Sequence, residues 1–197
     1  MRVLNIMAAL GALLIGVTLW AWGQPLISLS GEVRLWVQSV WSNETSQQVA
    51  DWYTLSHVIH GMLIALIGRG LSRWVPFGAA YALAIATGVT WEIAEHTDWV
   101  LNQFREETIY QGYVGDTVLN AVCDYLFMLG GFALAASVPW RWGVFLIVLF
   151  ELVSATLARD SLVLTTIRVL HPIPALTAWQ DETNRNAAAR PTPQVSQ

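Results

Sequence analysis

Apolar residues fall along this chain in long runs separated by short polar stretches. The first run, Val3 to Trp22, matches the ~20 residues that an α-helix needs to cross a bilayer. Ala21-Trp22-Gly23 loosely imitates a signal-peptide cleavage site, but the run exceeds a usual h-region and only Arg2 precedes it. An uncleaved anchor over residues 1–22 is therefore expected. Further runs cover Trp52 to Gly68, Val75 to Glu95, Asp116 to Val138 and Trp142 to Ala158. Leu162 to Leu170 is apolar but only half a membrane long, which predicts a short re-entrant or interfacial helix.

The polar stretches complete the outline. Residues 23–51 are too polar to span and form a periplasmic or interfacial segment, with Val33, Trp36, Val37 and Val40 spaced as one apolar helical face. Thr97 to Gly115 is a polar loop. From Gln180 the composition turns to Ala, Pro, Thr and Gln, as in a disordered tail. The expected fold is all-α: a polytopic transmembrane helical bundle over residues 52–179 behind the anchor, with about five spans in all. Runs such as Gly78-Ala79-Ala80 and Gly130-Gly131 would let helices approach closely.

Composition narrows the function classes. The 197 residues are 55% hydrophobic and 12% charged, with a net charge of −4. Every one of the ten basic residues is Arg, and no basic cluster exists for nucleic acid. Cys123 is alone, so no disulfide framework is possible. The arginines give an orientation. With the N-terminus in the cytoplasm, Arg2, Arg69, Arg73 and Arg141 lie inside and Arg34, Arg105 and Arg159 outside. Trp74, Trp140 and Trp142 then mark the inner interface, and Trp22, Trp52 and Trp99 the outer one.

Ionisable groups inside apolar runs carry the candidate chemistry, because each costs ~2.5–3.5 kcal/mol at mid-membrane without a partner. His57 and His60 are three residues apart and share a helical face. Glu92 and Glu95 repeat that spacing near the end of the next run, where Glu95 and His96 read as the water boundary. Asp116, Asn120 and Asp124 form a stripe at four-residue steps, with Asp116 also placed to act as a helix cap. Consecutive spans alternate in direction, so all three groups fall toward one side of the bilayer, the periplasmic side by the Arg count. Arg105, Arg159 and Asp160 are the expected charge partners.

Three readings follow from this convergence. In the first, the pocket binds an anionic or lipid-linked ligand with help from a divalent metal on His57, His60, Glu92 and Asp116. Mixed nitrogen and oxygen donors suit Zn, Mn or Fe, although the spacing matches no standard metalloenzyme motif. In the second, Asp124, Glu92 and the histidines relay protons or ions in a transporter, against which no inverted repeat is visible. In the third, the polar groups fasten helices in a structural or complex-forming subunit. Ser56 and His57 are adjacent and point apart on a helix, so they form no catalytic dyad.

The same residues carry a resemblance. Ser46-Gln47-Gln48, Asp51-Trp52-Tyr53 and Ser56-His57-Val58-Ile59-His60-Gly61 resemble an uncharacterised family of alphaproteobacterial inner-membrane proteins. The pattern continues through Trp91-Glu92, Glu95, Gly112-Tyr113, Gly115-Asp116, Asn120, Asp124, Arg159-Asp160, Leu162, Pro172 and Trp179-Gln180. It implies a multi-pass protein of the inner membrane and no particular reaction. Family members often carry a Cys pair where this chain has Ser28 and Ser30, so no cysteine role transfers. A looser similarity is to VanZ-like membrane proteins, linked to glycopeptide resistance, and implies a shared bundle at most.

Overall fold

The computed structural model describes residues 1–107, 115–171 and 173–188, with side chains for all of these but 103–107, 169 and 183–188. Gly112-Tyr113, Pro172 and the tail beyond residue 188 lie outside the described residues. Eight helices are described: α1 (Arg2–Ala21), α2 (Thr54–Gly70), α3 (Phe77–Glu95), α4 (Asp98–Glu107), α5 (Val118–Ser137), α6 (Trp140–Leu157), α7 (Leu162–Leu170) and α8 (Pro174–Ala188). No strand occurs among the described residues.

Four of these, α1, α3, α5 and α6, are long and apolar enough to cross a membrane. At 20 residues, α1 and α5 each reach about 30 Å, the thickness of the hydrocarbon layer. Their outward faces stay apolar: Leu10, Leu13 and Val17 on α1, Leu126 on α5, and Phe145, Val148 and Leu152 on α6 are all exposed. A helix that presents such a face has lipid, not water, as its natural solvent. The chain is a helical membrane protein. The second expected span, α2, is shorter at 17 residues and packs against α3, α5 and α6. Prolines open α3 and α6, where Pro76 and Pro139 stand at the N-cap.

The core is the seam between α2 and α5. Gly61 of α2 lies against the Met128 carbonyl of α5, and Gly131 of α5 lies against the Val58 carbonyl of α2. A Cβ at either position would sit inside the van der Waals limit of that backbone oxygen. Of the small-residue runs, Gly131 makes this contact, whereas Gly130 faces open space. Around the seam, Tyr125 and Met128 fill the gap to α1 and α3, and the Tyr125 hydroxyl donates to the Ala8 carbonyl at 3.2 Å. At the far end, Arg69 of α2 donates to the Ala135 and Val138 carbonyls at the end of α5.

Three expectations need correction. Residues 33–40 form no helix: Val37 donates to the Ala50 carbonyl at 2.9 Å and Val49 to the Arg34 carbonyl at 3.1 Å, tying this irregular stretch to the turns that precede α2. Their valines are separated accordingly, Val37 and Val40 buried but Val33 exposed. The loop after Thr97 begins with the ten-residue α4. The tail from Gln180 continues α8 as far as Ala188, and Gln180 itself is fully buried. The short helix expected at Leu162 to Leu170 is α7, capped by the Ser161 hydroxyl, which accepts from Leu164 N–H.

The seam yields the first prediction. Gly61→Ala and Gly131→Ala should each lower the detergent-solubilised stability by about 2 kcal/mol or more, since backbone oxygens cannot move aside as side chains do. Gly130→Ala, one residue away over open space, should be silent in the same thermal unfolding measurement.

Candidate functional site

The polar residues meet at one end of the bundle, where α2 begins, α3 ends and α5 begins. Segment 23–53 covers that end. Thr117 starts α5, its hydroxyl accepting from Asn120 N–H at 3.2 Å, so the cap role suggested for Asp116 belongs to its neighbour. Gly115 precedes with φ +94°, in the left-handed region that favours glycine, and turns the chain into this helix. The cover is stitched to the helix start by Thr117 N–H to the Ser46 carbonyl at 3.1 Å, Gln47 Nε2 to the Gly115 carbonyl at 2.9 Å, and Asn120 Nδ2 to the Gln48 carbonyl at 2.8 Å. Ser28 and Ser30 share a hydroxyl hydrogen bond at 3.0 Å in this cover, where relatives were expected to carry cysteines.

Beneath the cover lie the carboxylates. Glu92, Glu95 and Asp116 each offer an oxygen within 4.8 Å of the others. His57 stands between two walls, with Nδ1 3.4 Å from Glu92 Oε1 and Nε2 3.9 Å from Asp124 Oδ2. Asp124 Oδ1 accepts from Thr54 Oγ1 at 2.8 Å, and the same hydroxyl accepts from Asp51 N–H at 3.1 Å. Glu92 is 1% exposed, and its Oε2 finds no hydrogen-bond partner among the described residues. Asn120 Oδ1 is orphaned in the same way. Such atoms in a buried polar site normally meet water, an ion or a ligand.

His96 corrects the sequence reading. It is buried, not at a water boundary. Its Nδ1 lies 2.7 Å from the Glu92 carbonyl, which can only accept, so Nδ1 carries the proton and Nε2 accepts from Asp116 N–H at 2.9 Å. The nearby Asp116 Oδ2, 3.9 Å from that acceptor nitrogen, is then no ion-pair partner of His96. His96 thus ties the end of α3 to the start of α5 and holds Glu92 and Asp116 on facing positions.

The remaining expected residues scatter. His60 turns away from the carboxylates and lines a groove with Thr87, Thr90 and Trp91. Arg159 and Asp160 form a second cluster at the same end: Asp160 accepts from Thr165 Oγ1 at 2.8 Å, Gln180 Nε2 at 3.2 Å and Tyr53 Oη at 3.3 Å. Arg159 pairs with exposed Glu182 at 3.0 Å. Arg105 lies on α4, and its side chain is outside the described residues. Burial pushes both Asp51 and Asp160 up from 3.8 to about 6, against the hydrogen bonds each accepts. Both bind a proton more readily in the folded chain, so the stability linked to them falls as pH rises from about 4 to about 6.

Together these features define a class: a helical membrane protein with an acidic centre held beneath a hydrogen-bonded cover at one end of the bundle, Glu95 being only half-buried there. Residues 19–182 match the family described as "Protein of unknown function (DUF2585)", and the chain belongs to that family. A UPF0314 protein of Sphingopyxis alaskensis is 40% identical over 177 residues, covering 88% of this chain and 92% of the relative. One from Rhizobium meliloti is 39% identical over 176 residues, 89% of each chain, and one from Paracoccus denitrificans 39% identical over 162 residues, 82% and 83%. The resemblance to an alphaproteobacterial family of uncharacterised proteins holds, whereas the looser similarity to VanZ-like proteins finds no support in these relatives. No solved structure matches the chain.

Asp124 gives the second prediction. Asp124→Asn retains an oxygen for Thr54 and should unfold within about 0.5 kcal/mol of the wild type. Asp124→Leu leaves the buried Thr54 hydroxyl without its acceptor and should cost about 2 kcal/mol in thermal unfolding.

Proposed function

We propose that this chain is a multi-pass protein of the inner membrane whose acidic centre opens to the periplasm and binds a divalent cation. One observation carries the reading: three carboxylates converge, and a buried oxygen of one of them, Glu92 Oε2, accepts no hydrogen bond among the described residues. Two ionised carboxylates at such separation repel by about 3 kcal/mol at an effective dielectric near 20, and burial adds a desolvation cost. A divalent cation relieves both at once.

The donor set favours a hard ion. Glu92, Glu95 and Asp116 supply oxygen only, which suits Mn2+ or Mg2+ more than a thiolate-seeking metal. His57 sits beside Glu92 as an orienting partner, a common arrangement around metal-bound carboxylates. His60 falls outside this donor set, which narrows the four ligands expected from sequence. Asp124, already held by Thr54, serves the helix packing.

The sidedness rests on arginine. Arg2, Arg69, Arg73 and Arg141 belong to the end away from the acidic centre, and cytoplasmic loops are enriched in such residues. The N-terminus then lies in the cytoplasm.

Two measurements test this. Protein purified without chelators and offered Mn2+ should bind about one equivalent by mass-spectrometric metal analysis, an expectation for a single donor cluster. Glu92→Gln and Asp116→Asn should each weaken uptake at least about tenfold, while His60→Ala leaves it unchanged. Folded wild-type protein that takes up no Mn2+ would remove the cation from the site. For topology, single cysteines in a Cys123→Ser background should react with an impermeant maleimide on intact spheroplasts when placed at Trp99, and stay unlabelled at Arg73. The reverse pattern would invert the orientation.

A further inference from the structure

The groove that His60 lines has no role in the cation site. It is a lateral furrow of about 400 Å3 between α2 and α3, walled by His60 on one helix and Ala86, Thr87, Thr90, Trp91 and Ala94 on the other. From Ala86 to Ala94 it follows α3 for about 12 Å, from the level of the acidic centre down toward the middle of the helix. Ala86, Thr90 and Trp91 are exposed on a helix apolar enough to cross the membrane, so the furrow opens sideways into lipid. Apart from Trp91, the α3 wall is built from alanine and threonine, whose short side chains leave room for the furrow.

Two polar groups in the furrow, His60 and Thr90, are without a side-chain hydrogen bond among the described residues, whereas the Thr87 hydroxyl is used on the Leu83 carbonyl at 2.9 Å. A histidine and a hydroxyl left open inside a hydrocarbon layer are costly unless something polar comes to them. The furrow also starts close in the chain to the acidic centre. His60 stands one helical turn from His57, which touches Glu92, and Trp91 precedes Glu92 in the chain.

We propose that this furrow seats a phospholipid, with an acyl chain along Ala86 and Thr87 and the phosphate beside His60 and Thr90. The shape selects an acyl chain, since the walls are apolar and open to the bilayer. The open donors, His60 and Thr90, select an acceptor-rich head, and a phosphate offers more oxygens than an ester alone. A cation held by Glu92, Glu95 and Asp116 would draw the same phosphate further. That last attraction rests on the cation reading; the fit of the furrow does not.

The test is native mass spectrometry of the full-length protein in detergent, titrated with three probes: dioleoylphosphatidylglycerol, dioleoylglycerol and inorganic phosphate. Phosphatidylglycerol should bind saturably, at least tenfold tighter than dioleoylglycerol, and inorganic phosphate alone should not compete at equal concentration. Ala94→Phe fills the furrow and should weaken phosphatidylglycerol at least tenfold. Ala86→Phe, at an exposed position that does not disturb packing, does the same if the Ala94 variant fails to fold. His60→Ala should bring the two lipids to similar affinity. Undiminished binding in both Phe variants, equal binding of the phosphate-free lipid, or displacement by free phosphate would each overturn the proposal. Mn2+ content is read on the same samples. Saturable, furrow-dependent lipid binding without metal would defeat the cation reading alone, while metal uptake without it would defeat the furrow alone.

Discussion

Everything at the polar end of this protein depends on how closely α2 lies against α5. Between helices in lipid there is no hydrophobic force to draw them together, so contact must come from packing and hydrogen bonds. Gly61 and Gly131 supply it reciprocally, each accepting the other helix's carbonyl into the space where a side chain would be. Because that seam is tight, the first turns of α2 bring Thr54 and His57 within reach of Asp124 on α5. A wider seam would leave the same residues as isolated polar groups in hydrocarbon, each at a cost of several kcal/mol.

The cover solves a different problem. Helix ends expose N–H and C=O groups that find no partner within the helix, and burial near a membrane makes them expensive. Residues 46–48 meet the start of α5 with backbone carbonyls and a glutamine side chain, so Thr117 N–H, the Gly115 carbonyl and Asn120 Nδ2 are all satisfied. His96 does the same from α3, taking the Asp116 N–H. The acidic residues are therefore held by backbone geometry as much as by charge.

Much of this was legible in the order of residues. Helix spans came from runs of apolar residues, and the convergence of His57, Glu92, Asp116 and Asp124 at one end came from alternating helix direction. The details that escaped had no periodic trace. His60 shares His57's face, yet a face is wide enough for one ring to meet a carboxylate and the next to line a furrow. His96 resembled a boundary residue because burial at that level comes from the cover, whose irregular backbone has no hydropathy pattern. Gln180 sits in a polar stretch, and only its bonds to the Arg159 carbonyl and Asp160 reveal that it is interior. The motif Ser46-Gln47-Gln48 was visible as a resemblance, without the geometry that gives it work.

Arg69 extends the account to mechanics. Its guanidinium grips the final carbonyls of α5 at one end of α2, while Thr54 grips Asp124 at the other. With notched glycines between, the two helices resemble a key seated in a lock: sliding by one residue would drive a Cβ into a backbone oxygen and tear both end fastenings. Translation of this pair along its axis is blocked. A rearrangement that widens the acidic centre therefore leaves this pair standing as a keel and tilts α3, which carries Glu92 and Glu95, about it.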